Sequence, residues 1–392
     1  VTLFRCGGGW NPFPDALAAL ATEQTFDAKF ALIGHHFERP EDIAFTNLGV
    51  SINNIEDWTI GGKFITDTKG DPNWTYQTPP ERNATLANFR VSVRDAPTAR
   101  YSAYREVRLT RDPHFRIDSD NAIPLEWMLD GPVLALHNLV AFGLGMPVAL
   151  KWLRTTLAED KHRKIVEIVF QADEPSTREV RHPNESLFTL LDLAEQFEDV
   201  LQRWFTLSER IEAVLALYFS ALSGEATMSP QHQFLNLAQA LEAYHRLSYG
   251  DGAHLPGGVF KAARDAFAAA LPSELDQEVR STALNKLDNR AILSARIRHL
   301  VANAPQPIKD RAIQDLELFG KRLRETRNYF THWGKRSRWV ATGLELLSLT
   351  EGARWLLEGL LLQELGLPSA TIDALLLRNE RLTRTGHWFA AY

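Results

Sequence analysis

The hydrophobic period of this chain changes once, near Pro183, and that change limits the folds open to it. Before it, Phe89-Arg90-Val91-Ser92-Val93-Arg94 and Glu106-Val107-Arg108-Leu109-Thr110 alternate apolar and polar residues, as strands with one buried face do. Ile165-Val166-Glu167-Ile168-Val169-Phe170 is nearly continuous, which predicts a strand covered on both sides. Turn signals separate these runs at Gly61-Gly62, Gly70-Asp71-Pro72, Pro79-Pro80 and Asp112-Pro113. The apolar stretch 129–153 leaves room for a helix among the strands. After Pro183 apolar residues recur at spacings of three and four, with few β-branched clusters. The pattern predicts an α+β chain: a β-rich, sandwich-like domain over 1–186, then an all-α bundle over 187–392.

A length of 392 residues agrees, because it exceeds what one hydrophobic core usually organises. Cys6 is the single cysteine, so an internal disulfide and an all-cysteine metal cluster are excluded, and a reducing compartment is favoured. No apolar run looks long enough to cross a bilayer, and the first thirty or so residues lack a signal-peptide layout. We therefore expect a soluble, cytoplasmic protein without a membrane partner. The chain opens on Val1 instead of Met, as a chain does when a short N-terminal piece is absent or processed away.

Within the second half, 187–205 reads as a connecting helix and 208–222 as another, with Ser208 as N-cap. Ser229-Pro230 opens a long helix through Ser248, stopped by Gly250 and Gly252. Shorter helices are expected over 259–270, 273–286 and 290–301, and Pro305 and Pro307 mark the break before a central helix over 309–330. Its apolar stripe is Ala312, Leu316, Phe319, Leu323, Thr326 and Phe330. Arg327 lies beside that stripe, where a charge is costly unless paired. Gly334 suits the C-terminal cap, and a further long helix is expected over 341–365, ended by Gly366 and Pro368.

The end of the central helix is the most basic segment of an acidic protein. The formal net charge is −6, yet Lys321, Arg322, Arg324, Arg327, Lys335, Arg336 and Arg338 stand close together against Glu325 alone. Such a patch is a docking site for a polyanion, or else a solvated helix end whose cations complement the macrodipole. Inside it lies Arg327-Asn328-Tyr329-Phe330-Thr331-His332. A histidine of pKa near ~6.5 can take the proton from a ribose 2′-OH or return one to the leaving 5′-oxygen. An arginine offers a fork to the nonbridging phosphate oxygens as charge builds on them. Asn328 would orient the histidine or the phosphate. This chemistry calls for neither metal nor cofactor. Arg327 and His332 are about 140° apart around an ideal helix. They converge only if the chain unwinds after Phe330, or if the helix end faces a partner.

Arg327-Asn328-x-x-x-His332 resembles the motif of the HEPN superfamily, an Arg followed after four to six residues by His, commonly with Asn next to the Arg. Phe234-Leu235-Asn236-Leu237-Ala238-Gln239-Ala240-Leu241-Glu242-Ala243-Tyr244-His245-Arg246 is similar to the first core helix of ApeA-type HEPN domains. Leu32-Ile33-Gly34-His35-His36-Phe37, Asp42-Ile43-Ala44-Phe45 and Ile55-Glu56-Asp57-Trp58 resemble the β-rich domain that precedes HEPN in ApeA proteins. The resemblance implies a metal-independent endoribonuclease, with Arg327, Asn328 and His332 catalytic. It also implies a homodimer or larger assembly, abortive defence against phage under a phage-derived trigger, and RNA as substrate, tRNA being one candidate. Lys321, Arg322, Arg324, Lys335, Arg336 and Arg338 are the RNA-binding candidates, and Glu242 a supporting residue that pairs with Arg327 or Arg246.

Other features carry less. His245 reads as a packed or surface residue. His35-His36 lacks further metal ligands at a familiar spacing and reads as a loop feature. Cys6-Gly7-Gly8-Gly9 lacks the GKS/T ending of a phosphate loop and the second cysteine of a redox pair. Trp58, Trp74 and Trp127 are expected in the core. The rival reading is a non-catalytic nucleic-acid-binding or phage-sensing protein that dimerises through its bundle. A nucleotide-transferring enzyme is weaker, because no carboxylate pair stands near the motif.

Overall fold

The computed structural model describes residues 1–9, 25–67, 73–102, 106–157, 164–171, 182–223, 228–251 and 255–390. The turn expected at Gly70-Asp71-Pro72, the stop at Gly252 and the Trp74 side chain lie outside what is described. The chain divides into two compact units, residues 1–206 with 365–367, and 207–364 with 368–392.

Among the described residues of the first unit, ten strands form one eight-stranded antiparallel sheet and one two-stranded ribbon. They are β1 (Thr2–Gly9), β2 (Thr25–Ile33), β3 (Ala44–Ile52), β4 (Lys63–Asp67), β5 (Asn73–Gln77), β6 (Arg82–Thr85), β7 (Arg90–Ser102), β8 (Glu106–Pro124), β9 (Leu150–Thr156) and β10 (Ile165–Phe170). The large sheet runs β1-β2-β10-β9-β3-β8-β7-β6, and β4 pairs with β5. Register explains its core. Leu32 faces Ile168, Ile168 faces Leu153, Leu153 faces Val50, Val50 faces Phe115 and Phe115 faces Val93. All six are buried, so one pleat carries a continuous apolar row across the sheet.

Helices supply the second layer of this β-rich unit. The indole of Trp58, in α1 (Ile55–Thr59), lies 5.8 Å from the ring of Phe115. The stretch 129–153 holds most of a helix, α2 (Leu125–Leu144), followed by β9. Contrary to the sequence expectation, α2 is long and apolar enough to cross a membrane, but 67% of its most apolar window is buried inside the protein. Ile165–Phe170 is a strand as expected, but with one covered face: Val166 and Ile168 are buried, whereas Ile165 and Val169 are exposed. Trp58 is fully buried, but Trp127 is 45% exposed and meets Phe89 edge-on at 5.8 Å. The indole finds a partner ring at the surface without needing the core.

Segment 187–206 packs with the first unit despite its helical period. Leu187 N–H donates to Gly143 O and Leu190 N–H to Trp58 O, each at 2.8 Å. Trp204 stacks on Phe142 and donates from Nε1 to Ala135 O at 2.8 Å. The expected helix over 187–205 begins only at Phe197, as α3 (Phe197–Arg210), after two short 3-10 turns. Ser208 is inside α3 and not at a helix start; the next helix, α4 (Glu212–Ser223), follows a break at Ile211.

The second unit is helical: α5 (Pro230–Tyr249), α6 (Gly257–Ala270), α7 (Gln277–Asn285), α8 (Leu293–Asn303), α9 (Leu316–His332), α10 (Leu344–Glu364), α11 (Ser369–Arg378) and α12 (Glu380–Ala390) follow α4. Ser229 caps α5 by accepting from His232 N–H, and Gly250 ends it at φ 76°. The central helix is shorter at its start than its period suggests. Residues 309–313 form a separate wide turn, Gln314 reverses the chain at φ 51°, and Asp315 caps α9 by accepting from Leu318 N–H. Phe319, Leu323, Thr326 and Phe330 are buried as the stripe requires. In the same unit, α10 carries a fully buried carboxylate, Glu358, which accepts from Tyr218 Oη and Arg354 Nε at 2.8 Å each and also binds Arg381.

Candidate functional site

The candidate site is the C-terminal end of α9. Helical geometry continues through His332, so the chain does not unwind after Phe330. Trp333, not Gly334, takes the left-handed cap conformation, at φ 49° and ψ 36°, and its N–H donates to Tyr329 O at 2.6 Å. The loop behind it returns to the core where Ala341 N–H donates to the buried Thr326 Oγ1 at 2.9 Å.

Arg327 lies at the edge of the buried stripe and is partly exposed, its side chain at 31%. Its Nη2 donates to Glu242 Oε2 of α5 at 3.1 Å, and Nη1 to Asn328 Oδ1 at 3.3 Å. Glu242 is thus shared, with Arg246 Nη2 at 3.5 Å from its other oxygen. Both pairings anticipated for Glu242 occur at once. A partly exposed pair of this kind contributes roughly 0.2–1 kcal/mol to stability. Its larger effect is to fix the plane of a guanidinium whose remaining N–H donors point elsewhere. Asn328 is bonded to Arg327 and not to His332, so its orienting contact falls on the arginine.

His332 is exposed at the last turn, and its side chain makes no hydrogen bond among the described residues. On a continuous helix it projects about 140° away from Arg327. Between those directions the helix surface carries Arg324, Asn328 and Thr331. Within one chain the two ends of the motif therefore border a shared surface without touching.

The surrounding cations fall into two groups. Arg322 pairs with Glu345 at 3.1 Å, Arg324 with Glu325 at 2.8 Å and Arg327 with Glu242. Lys335, Arg336 and Arg338 have no carboxylate partner among the described residues, and Lys321 makes no ion-pair contact but feels the charge of Glu325. Arg324 holds the Glu325 carboxyl below its ordinary range, helped by a bond from Ser337 Oγ. That single local acid is therefore a fixed anion that anchors the 333–343 loop. Lys321 Nζ lies 3.8 Å from the ring centre of Trp339, and Arg338 stacks on the same ring at 4.5 Å. A cleft of about 440 Å3 beside α9 is lined by Arg298, Lys321, Arg324 and Trp339 among others. Arg298 and Trp339 were not legible as site residues, since neither sits in a motif.

His245 is buried at 5% exposure, not on the surface, and its Nε2 meets His299 Nδ1 at 3.2 Å. Burial, reinforced by the nearby Arg296 and His299, lowers its pKa to about 4. It is a neutral packed histidine at physiological pH. His35 and His36 are exposed in the loop after β2, and Cys6 is exposed on β1. Among the described residues, no group of three His, Cys, Asp or Glu side chains is placed to hold a metal ion.

Residues 1–204 match the family model described as ApeA N-terminal domain 1, and residues 235–371 match the one described as Apea-like HEPN. No curated protein and no solved structure matches the chain.

Proposed function

The chain belongs to the ApeA family, with an ApeA N-terminal domain followed by an Apea-like HEPN domain, and from that premise we propose that it is a metal-independent endoribonuclease. The observation that carries the reading is the end of α9, where a tethered Arg327 and an unencumbered His332 border one cation-rich surface. Arg327 steadies the nonbridging oxygens of the scissile phosphate. His332 takes the 2′-OH proton or returns one to the 5′-oxygen. The 2′-oxygen attacks phosphorus as the bond to the 5′-oxygen breaks, leaving a 2′,3′-cyclic phosphate and a 5′-hydroxyl. Asn328 orients Arg327. Lys321, Lys335, Arg336 and Arg338, none of them in a carboxylate ion-pair contact among the described residues, hold the RNA backbone.

Because α9 stays helical through His332, the two motif ends diverge within one chain. A homodimer answers this: Arg327 of one copy and His332 of another serve one phosphate, or two histidines act as base and acid. We assign the β-rich domain the role of holding the nuclease quiet or receiving a phage-derived trigger. The setting is abortive defence in the cytoplasm, with tRNA a candidate substrate.

One observation favours the non-catalytic reading, a binding or sensing protein with a dimerising bundle. Arg327 is paired across helices as a structural arginine would be. Labelled total RNA incubated with the protein in EDTA, beside folded His332→Ala, separates the two. Cleavage by the wild type alone, leaving cyclic phosphate ends, supports the nuclease. Equal cleavage by both moves the active site elsewhere, and no cleavage even with phage components added leaves the binding reading standing.

A further inference from the structure

The cap of α9 is strained in a way its own sequence offered a means to avoid. In the left-handed region a β-carbon crowds the following carbonyl, so glycine enters freely and a bulky residue rarely. Gly334 is the very next residue, yet Trp333 occupies that conformation. Strain of this kind persists where it positions something. Here it presents an indole: Trp333 is 69% exposed immediately after His332.

The indole is supported from one side only. Its ring centre lies 5.7 Å from Tyr329 and 5.9 Å from Phe330, and Phe330 is itself buried against Phe234 at 6.3 Å. Trp339, the neighbouring tryptophan of the same loop, is covered by Lys321 and Arg338. No cation lies over Trp333 among the described residues, while the exposed Lys335 and Arg336 beside it lack carboxylate partners. An open aromatic face beside cations without carboxylate partners suits a flat ring attached to a polyanion.

We propose that Trp333 is a stacking platform for an RNA base next to the phosphate handled at His332, so that the substrate must be unpaired at that nucleotide. This rests on the ribonuclease reading above and adds the class of RNA. A base inside a duplex has both faces occupied by its neighbours, whereas a base in a loop or single strand can lie on an aromatic side chain.

The test uses the full-length chain, Trp333→Gly and Trp333→Phe, with labelled 2′-O-methyl RNA, which lacks the attacking hydroxyl. Affinities for the single strand and for its duplex are read by fluorescence anisotropy, melting by thermal unfolding and self-association by light scattering. Trp333→Gly should melt at the same or a higher temperature, because glycine relieves the cap, yet bind the single strand about tenfold more weakly or worse. Trp333→Phe should keep most of the affinity, and the duplex should bind poorly to all three proteins. Unchanged single-strand affinity in Trp333→Gly overturns the proposal and leaves the nuclease reading intact. Joint loss of RNA affinity and self-association also overturns it, because the indole would then belong to an interface between copies. If the wild type binds no RNA even with phage components added, the ribonuclease reading falls and the proposal with it.

Discussion

Arg327 of α9 is tied to Glu242 of α5, Nη2 to Oε2 at 3.1 Å, between residues 85 apart in the chain. The same carboxylate also faces Arg246 at 3.5 Å, so it lies between two guanidiniums. Glu242→Gln removes the charge while keeping the shape, and leaves Arg327 free to turn. RNA cleavage under single-turnover conditions should fall about a hundredfold, since misplacing a positioning group by about 1 Å costs that much. The unfolding free energy should change by less than about 1 kcal/mol, because the pair is partly exposed. Rapid-mixing kinetics and a denaturant titration of the variant measure both.

His332 is exposed and bonded to nothing described, so its side chain adds little to the fold. We expect His332→Ala to unfold within about 0.5 kcal/mol of the wild type. Cleavage in EDTA should drop by roughly 10²–10⁴. A variant that melts lower and cleaves equally well would return the residue to a structural role.

Glu358 is 0% exposed and sits among Tyr218, Arg354 and Arg381. Burial pushes its carboxyl up, but the Arg381 and Arg354 guanidiniums outweigh that and hold it below the ordinary value of 4.5. A depressed folded pKa contributes stability above the unfolded value, and that stability is lost as pH falls through the folded one. Acid unfolding should therefore steepen below about pH 4.5. Glu358→Gln should flatten that limb and cost about 3–5 kcal/mol at neutral pH, because two guanidiniums lose their anion. Urea titrations across pH follow both effects.

His245, in contrast to the Glu358 carboxylate, is buried without a charge. Buried beside Arg296, His299 and Tyr249, it stays neutral in the folded protein down to about pH 4. The unfolded chain takes up that proton near its ordinary value of 6.5. Stability should then rise with pH between about 4 and 6.5, since there the unfolded state binds more protons. His245→Gln should remove this part of the slope, as chemical unfolding over that range would record.

Much of the architecture is written locally. The change from alternating to helical period near Pro183 separates the strands β1–β10 from the bundle, and Ser229, Gly250 and Gly366 mark helix ends. Arg327, Asn328 and His332 are readable for the same reason, since their spacing and basic surround lie within one helix end. Propensity, capping and periodicity act over a few residues, and those residues are adjacent in the chain.

Packing decided the rest. Residues 187–206 have a helical period but join the β-rich unit, because Trp204 reaches Ala135 O and Phe142 there. Glu242 had two candidate partners in the sequence, Arg327 and Arg246, and only the crossing of α5 and α9 brought it to both. The cap fell on Trp333 although Gly334 was the better local choice. Tertiary anchors, among them Ala341 on Thr326 and Phe330 on Phe234, set where the helix stops. Local preferences amount to about 1 kcal/mol or less per residue, and side chains brought together from distant positions readily override them.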